Sequence, residues 1–384
     1  MSKIMNIGAL DVRDIHEDVA KEISEIANIG VLIENDSSLV LLKNAKKTNI
    51  GATLKLPSNQ DVNLVMQNGN IEIDKEYLEG IVTPIVILVN GRLVLEKDID
   101  STLANEKIYS ILVNGEIICP KKISGTIQSK GTVNGAFTTY SSDYTFFSGD
   151  IRLNNRFLKS IKNESKISFG KLSVLDPIDF QLLEEKISNI EILKELIVLD
   201  EYEDEISQYI DDYYSVKKII IPNVGSEVKY IDGDMSIDDK SLKNYNQAVL
   251  YVDGEVRLDL KEAIDFGKYI QLLICDELIC NEETYEIIKD NIGENVKVEV
   301  IEGKLLENSG KMVLTGMIEE RVTIKNMGKL VLDEKLDYDS FDKNVALIKN
   351  FGVIEVPEEK LSLVKGKVKE NFGKIKSAAG DNNK

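Results

Sequence analysis

The sequence has no tryptophan, a single histidine and three cysteines in 384 residues, and it has no long uninterrupted apolar run. Each shortage removes a class of protein. A Ser/His/Asp triad or a Cys/His zinc site would have to be built on His16, which lies in a charged, helix-like segment and reads as a surface residue. Cys119, Cys275 and Cys280 cannot all pair within the chain. Each sits in an apolar run (GEIICP, LLICDELIC), where a reduced, buried thiol is expected. The longest apolar stretch, Ile81 to Val89, is interrupted by Thr83 and Pro84 and falls short of the ~18 residues of a spanning helix. The opening MSKIMNIGALDVRDIHED has no apolar region or small-residue cleavage site, so no secretory signal is expected and the expected address is the cytoplasm. No GxxxxGK[ST] phosphate loop and no HExxH motif occurs.

What is present is acid. Lys+Arg 47 against Asp+Glu 66 gives a net charge of −19, which repels nucleic acid unless a local basic patch intervenes, so no nucleic-acid partner is expected. A hydrophobic content of 43% in a chain of this length suits two ordinary domains or one extended array.

The chain is also self-similar. Short apolar runs meet Asn or Asp near Gly and continue into a second apolar run, as in EIANIGVLIEN, IVILVNGRLVLEK, YSILVNGEIICPKK, VLYVDGEVRLDL, VTIKNMGKLVLDEK and ALIKNFGVIEVPEEK. Gly91 to Gly115 and Gly328 to Gly352 are each 24 residues apart, Gly30 to Gly51 is 21, and a copy without its Gly fits at Glu277. A unit of this size cannot bury its own apolar face, whereas stacked units share a continuous core. The expected fold is an α/β repeat solenoid of stacked parallel β-coils of about 21–26 residues with short helices in some coils. Asn and Gly tolerate the backbone of a sharp corner, so equivalent corners are expected to stack in a column. The alternative is an all-β array of antiparallel hairpins, because NG or DG between apolar runs is also a hairpin signal. Against it, Asn28, Asn49, Asn326 and Asn350 precede their Gly by two residues while Asn90 and Asn114 precede it directly, a change that would shift hairpin register.

The organisation read from the pattern is an N-terminal capping helix region (1–27, with Val12, Ile15, Val19, Ile23 and Ile26 at helical spacing), coils over 28–124, a β-hairpin or loop elaboration over 125–149, coils over 150–356, and a basic amphipathic cap and tail over 357–384. Helical spacing also marks Phe180, Leu183 and Ile187, then Tyr202, Ile206, Tyr209 and Tyr213, and a short helix after Asn281. The period and the Asn corner resemble a degenerate leucine-rich repeat, and the uninterrupted apolar run after the corner looks equally like a bacterial β-solenoid. The usual LxxLxLxxNxL is absent. Members of both classes mostly supply recognition or assembly surfaces, so the resemblance implies binding rather than catalysis.

Stacked corners place Asn28, Asn49, Asn68, Asn90 and Asn114 in line, then Asp232, Asp253, Asp276 and Glu302, before Asn326 and Asn350 return. Carboxylates about 5 Å apart repel one another by roughly 0.8 kcal/mol even in water, which exposure, raised pKa values or a bound cation must offset. Asp232, Asp234, Asp253 and Asp276 are therefore the candidate site for a divalent cation, calcium being the one suited to oxygen ligands, or for a basic partner. An EF-hand reading of DGDMSIDD fails, because Ile237 and Lys243 stand where Gly and Glu are required. Lys365 to Lys384 carries six Lys against Glu370 and Asp381, with Val364, Val368, Phe372 and Ile375 at helical spacing. It is expected to close the last coil or to dock on an acidic surface, and Lys365–Lys376 is the one stretch suited to an anionic membrane. The functional expectation is a non-enzymatic scaffold presenting an elongated repeat surface to a protein partner or to another copy of itself. The alternative is a carbohydrate-active or carbohydrate-binding β-solenoid, with Asp232 and Asp253 as its carboxylates and, lacking Trp, only Tyr and Phe to stack on sugar.

Overall fold

The computed structural model describes residues 2–56, 61–260 and 264–377. The chain divides into two compact units, Met1–Ile221 and Pro222–Lys384. Both are α/β, built of parallel sheets and short helices. Every described strand pairing is parallel, which corrects the antiparallel-hairpin alternative. The two runs flanking a corner do not face each other. Each lies against the equivalent run one repeat away.

In the first unit the strands form three sheets. The first module holds β1 (Ser2–Asp11), β2 (Ile23–Glu34) and β3 (Lys46–Lys55) in that order. The second holds β4 (Asn63–Ile73), β5 (Ile85–Leu95), β6 (Ile108–Pro120) and β7 (Gly131–Tyr140). The third holds β8 (Thr145–Arg152), β9 (Ser165–Val174), β10 (Ile187–Leu199) and β11 (Lys217–Ile221). In β5, Ile85, Ile87 and Val89 point into the module's own core while Val86 and Leu88 meet Val31, Ile33 and Leu56 of the first module. A strand covered on both faces has no reason to alternate, and its sequence reads as one apolar run.

In the second unit, β12 (Val228–Asp232) and β13 (Met235–Asp238) both lie on β14 (Ala248–Asp259), followed by β15 (Ile270–Asn281) and β16 (Lys297–Ile301). The last module divides each repeat between two sheets. One is β17 (Lys304–Asn308), β19 (Val322–Asn326), β21 (Val345–Asn350) and β23 (Val368–Asn371). The other is β18 (Lys311–Gly316), β20 (Lys329–Leu336), β22 (Val353–Val356) and β24 (Lys374–Ser377). Both sheets enclose one core of Ile324, Leu330, Leu332, Ile348, Ile354 and Phe341.

The helices between strands are single or double turns, too short to persist alone. Most begin on an Asx residue whose side chain accepts a bond from a backbone N–H two or three positions on: Asn35, Asp74, Asp100, Asn154, Asp179, Asp238, Asn281 and Asp337. One apolar side chain, such as Leu78, Leu158, Leu183 or Val364, then pins each helix to the sheets.

Several boundaries differ from those read in the sequence. The expected N-terminal cap is β1, a helix at Glu17–Glu22, and the start of β2, which takes Ile23 and Ile26. Segment 125–149 is not a hairpin. It begins in the helix Ser124–Lys130, continues as β7 on β6, and enters β8 on β9. The helix Asp200–Ser207 ends before Tyr209 and Tyr213. The basic C-terminal helix is confined to Leu361–Lys367, and Val368 to Ser377 forms β23 and β24. The local reason is common to all: two turns of helix followed by strand leave apolar residues three or four apart without a continuous helix beneath them. The tail beyond Ser377 lies outside the described residues. Among the described residues no helix is long and apolar enough to cross a membrane.

The three thiols are free and buried, as expected. Burial pushes the Cys119 thiol up to about 12, does the same to Cys275 with help from Asp276 and Glu277, and raises Cys280 to about 11. A thiol-specific chromogenic disulfide at pH 8 is therefore expected to titrate none of them in the native protein and all three in denaturant, because the thiolate is the reacting form.

Candidate interaction surfaces

The corners hold the most regular chemistry. In the first module the Asn28 amide donates to Asn6 Oδ1 at 3.0 Å and Asn49 to Asn28 at 2.8 Å. In the second, Asn90 donates to Asn68, Asn114 to Asn90 and Asn134 to Asn114 at 2.8–3.0 Å. In the last, Asn308 donates to Asn326, Asn326 to Asn350 and Asn350 to Asn371 at 2.7–2.8 Å. Each amide offers one donor and one acceptor along the stack, so a ladder satisfies itself. Asn28, Asn49, Asn68, Asn90 and Asn114 thus belong to two separate ladders rather than one column, because the sheets end between modules. Asn6, Asn134, Asn308 and Asn371 were missed in the sequence, although NIG, NGA, NSG and NFG carry the same corner signal.

The third module lacks the asparagines and places charges of alternating sign at the corner. Asp150, Lys171, Glu195 and Lys217 are successive register partners. Glu195 sits 3.3 Å from Lys171 and 2.6 Å from Lys217.

The fourth module carries the acid corner. Asp232 and Asp253 are direct partners across β12 and β14. Asp276 lies at a bulge, since Val252 faces Cys275 while Glu255 already faces Glu277, leaving Asp253 and Gly254 opposite Asp276 alone. Asp234 Oδ1 accepts the Glu255 N–H at 2.8 Å and so closes the turn after Gly233. Glu302 falls in the turn after β16, outside this stack. Asp232, Asp234 and Asp276 are exposed and Asp253 half-buried. Among the described residues no three His, Cys, Asp or Glu side chains converge where a metal ion could sit.

A small cleft of about 120 Å³ adjoins the Asn68, Asn90 and Asn114 corner, and two larger ones lie at the strand ends beyond the corners. One of about 440 Å³ in the second unit is lined by Asp238, Arg257, Asp259, Cys280, Asn281 and Lys304. Arg257 is engaged there by Glu255 and by Glu307 at 2.5–2.6 Å, and the Ser241 backbone N–H, capped by Asp238, holds that carboxyl below its usual range. The other, about 420 Å³ in the first unit, gathers Glu72, Asp74, Glu96, Lys97 and Asp98. Burial, then the neighbouring Glu72 and Asp98, raise the Glu96 carboxyl. The Ser148 hydroxyl donates to Glu72 and Lys97 donates to Thr145.

Outer sheet faces are the third feature. The first and second modules meet through Val31, Ile33 and Leu56 against Val86 and Leu88, and the second and third through Val94, Ile118 and Tyr140 against Tyr144, Phe146 and Leu193. At the latter contact Glu116 takes bonds from Arg92 at 3.0 Å and Lys194 at 2.9 Å. Burial alone would raise its carboxyl, but Lys194, Thr138 and Arg92 hold it below the ordinary value. In the second unit the corresponding contact is ionic: Arg257 with Glu307 at 2.6 Å and Glu299 with Lys349 at 2.8 Å. Comparison of the chain with known protein families, with curated proteins and with solved structures gives no match.

Proposed function

We propose that the protein is a non-catalytic interaction scaffold assembled from short parallel solenoids, nearer in plan to a bacterial β-solenoid than to a leucine-rich repeat. The observation that carries the reading is that outer sheet faces are themselves adhesive surfaces: modules are joined through them by apolar contact in the first unit and by ion pairs in the second. Interlocked corners fix the backbone, and side chains pointing outward are then free to vary without changing the fold. The acid corner is one such variable surface. Its exposure and the lack of a converging ligand set among the described residues favour a basic protein partner over calcium.

The test uses the full chain immobilised against extract, with an Asp232→Asn, Asp253→Asn, Asp276→Asn variant as comparison. The expected result is a partner retained at low salt, released at high salt and lost by the variant. Equal retention by the variant would remove the acid corner as the docking surface, and heat on titration with calcium chloride that the variant abolishes would replace the partner by a cation.

A further inference from the structure

Pleat alternation in the last module leaves one sheet face with a composition unlike the rest of this acidic chain. Met312, Leu330, Ile354 and Ile375 share a register row pointing inward, Leu314 and Leu332 pair in the same sense, and Val356 also lies in the core. The intervening rows therefore point outward: Lys311, Lys329, Val353 and Lys374 in one, Val313, Val331, Glu355 and Lys376 in the next. Lys311, Lys329, Lys374 and Lys376 are exposed, Val313 is 47% exposed, and the one acid of the two rows, Glu355, is paired with Lys329 at 2.8 Å.

The rim of this face is apolar. The middle residue of each N-x-G corner stands out of the stack, so Met327, Phe351 and Phe372 line up beside the lysines. Phe351 and Phe372 stack with ring centres 5.4 Å apart and planes within 11°, yet they are 43% and 78% exposed. The exposed rings form an apolar patch of the kind that marks an interaction surface, and the lysines beside it, hydrated while free, supply the charge that such a surface would recognise.

We propose that this face, β18–β20–β22–β24 with its Phe351/Phe372 rim, docks on a bilayer surface bearing anionic phospholipid. Charge complementarity favours a phosphate-rich surface, since four exposed lysines share this face with Glu355 and, further along β20, Asp333, which leaves it net positive in a chain of net charge −19. A bilayer also accepts protruding rings between headgroups, whereas a rigid protein face would need two matching pockets. The outward row Lys3, Glu25 and Lys46 on β1–β3 is itself net positive, so charge does not favour that face of another copy as the occupant. The reading does not depend on the acid corner.

The experiment is flotation of the full chain with phosphatidylcholine vesicles, with and without phosphatidylglycerol. Wild type is expected to float with the mixed vesicles at low salt, and to stay behind at high salt or with phosphatidylcholine alone. Each lysine near the surface contributes about fivefold, so Lys374→Glu with Lys376→Glu is expected to weaken binding by at least about 30-fold. Phe372→Ser is expected to weaken it several-fold with the salt dependence unchanged. The Asp232/Asp253/Asp276 variant is expected to bind as wild type, which separates this proposal from the preceding one. If the double lysine variant does not give the wild-type circular dichroism melt, Lys311→Glu on the edge strand replaces it. No flotation of wild type, equal flotation with phosphatidylcholine, or full flotation of the lysine variants overturns the proposal. So does a concentration-dependent dimer, abolished by the lysine variants, without vesicle binding, which would assign the face to a second copy.

Discussion

Replacing Gly352 with alanine is expected to lower the melting midpoint by about 10 °C, while the same change at Gly310 moves it by no more than about 2 °C. The two glycines occupy the same corner position in the last module, two repeats apart with Gly328 between them, and neither has a left-handed backbone. The difference is the neighbour. A Cβ on Gly352 would stand 2.0 Å from the Gly328 carbonyl oxygen, and a Cβ on Gly310 would meet nothing within 4 Å. That oxygen cannot withdraw, because it accepts the Val353 N–H at 2.8 Å, and each next glycine repeats the arrangement. Relief would require pulling two repeats apart along a ladder of backbone bonds, at a cost of about 3 kcal/mol or more, toward the severe end for overpacking. Gly30, Gly51, Gly328 and Gly373 stand against the carbonyl of the preceding corner in the same way. Circular dichroism melts of the two variants beside wild type decide it. Equal losses at both positions would mean that conformational freedom, not the close approach, fixes the glycine.

This close approach marks what the sequence could and could not disclose. Corner spacing was legible, since Asn and Gly recur where apolar runs bend, and it led to parallel pairing. The same letters suggested that glycine is needed for positive φ, which holds at Gly91, Gly115 and Gly254 but not at Gly30, Gly328 or Gly352. The breaks between modules were not legible. Val86 and Leu88 face a neighbouring module and Ile85 and Ile87 face their own core, yet all four are β-branched or aliphatic residues in one run. Hydrophobicity says that a side chain is covered and is silent about what covers it. Of the acid corner, the pairing of Asp232 with Asp253 was legible from DG at both places. The bulge at Asp276 arises because LLICDELIC has one residue fewer between its apolar runs; the sequence showed the missing Gly as a replacement at Glu277, and the register shows it as a deletion. At the C-terminus, periodicity over Val364 to Ile375 summed a short helix and two strands into an apparent amphipathic helix, which concealed the lysine face.

The asparagine ladders offer the second large effect, because one chemical motif occurs there in two environments. Asn326 and Asn350 are fully buried, whereas Asn90 and Asn114 are exposed. Asn326 accepts from Asn308 at 2.7 Å and donates to Asn350 Oδ1 at 2.8 Å. Asn326→Ala removes both ladder bonds and a third, from the Asn326 amide to the Val353 carbonyl at 3.2 Å, and leaves a buried donor on Asn308 and a buried acceptor on Asn350, each costing about 1–3 kcal/mol where water cannot enter. A loss of about 3–4 kcal/mol in unfolding free energy is expected, read as a lowered denaturant midpoint. Asn90→Ala breaks the equivalent pair of bonds in reach of solvent and is expected to cost about 1 kcal/mol or less. Asn326→Asp sharpens the contrast by adding a titration. Burial and the facing Asn350 oxygen raise the new carboxyl above its unfolded value. The folded state then binds the proton more tightly than the unfolded chain, so this variant is most stable at low pH and loses stability as pH rises from the ordinary carboxylate pKa through the raised folded value. Wild type minus variant, followed by urea unfolding from acid to neutral pH, should widen over that window. A flat difference would show that the corner admits water, and that the ladder's burial is not what gives it strength.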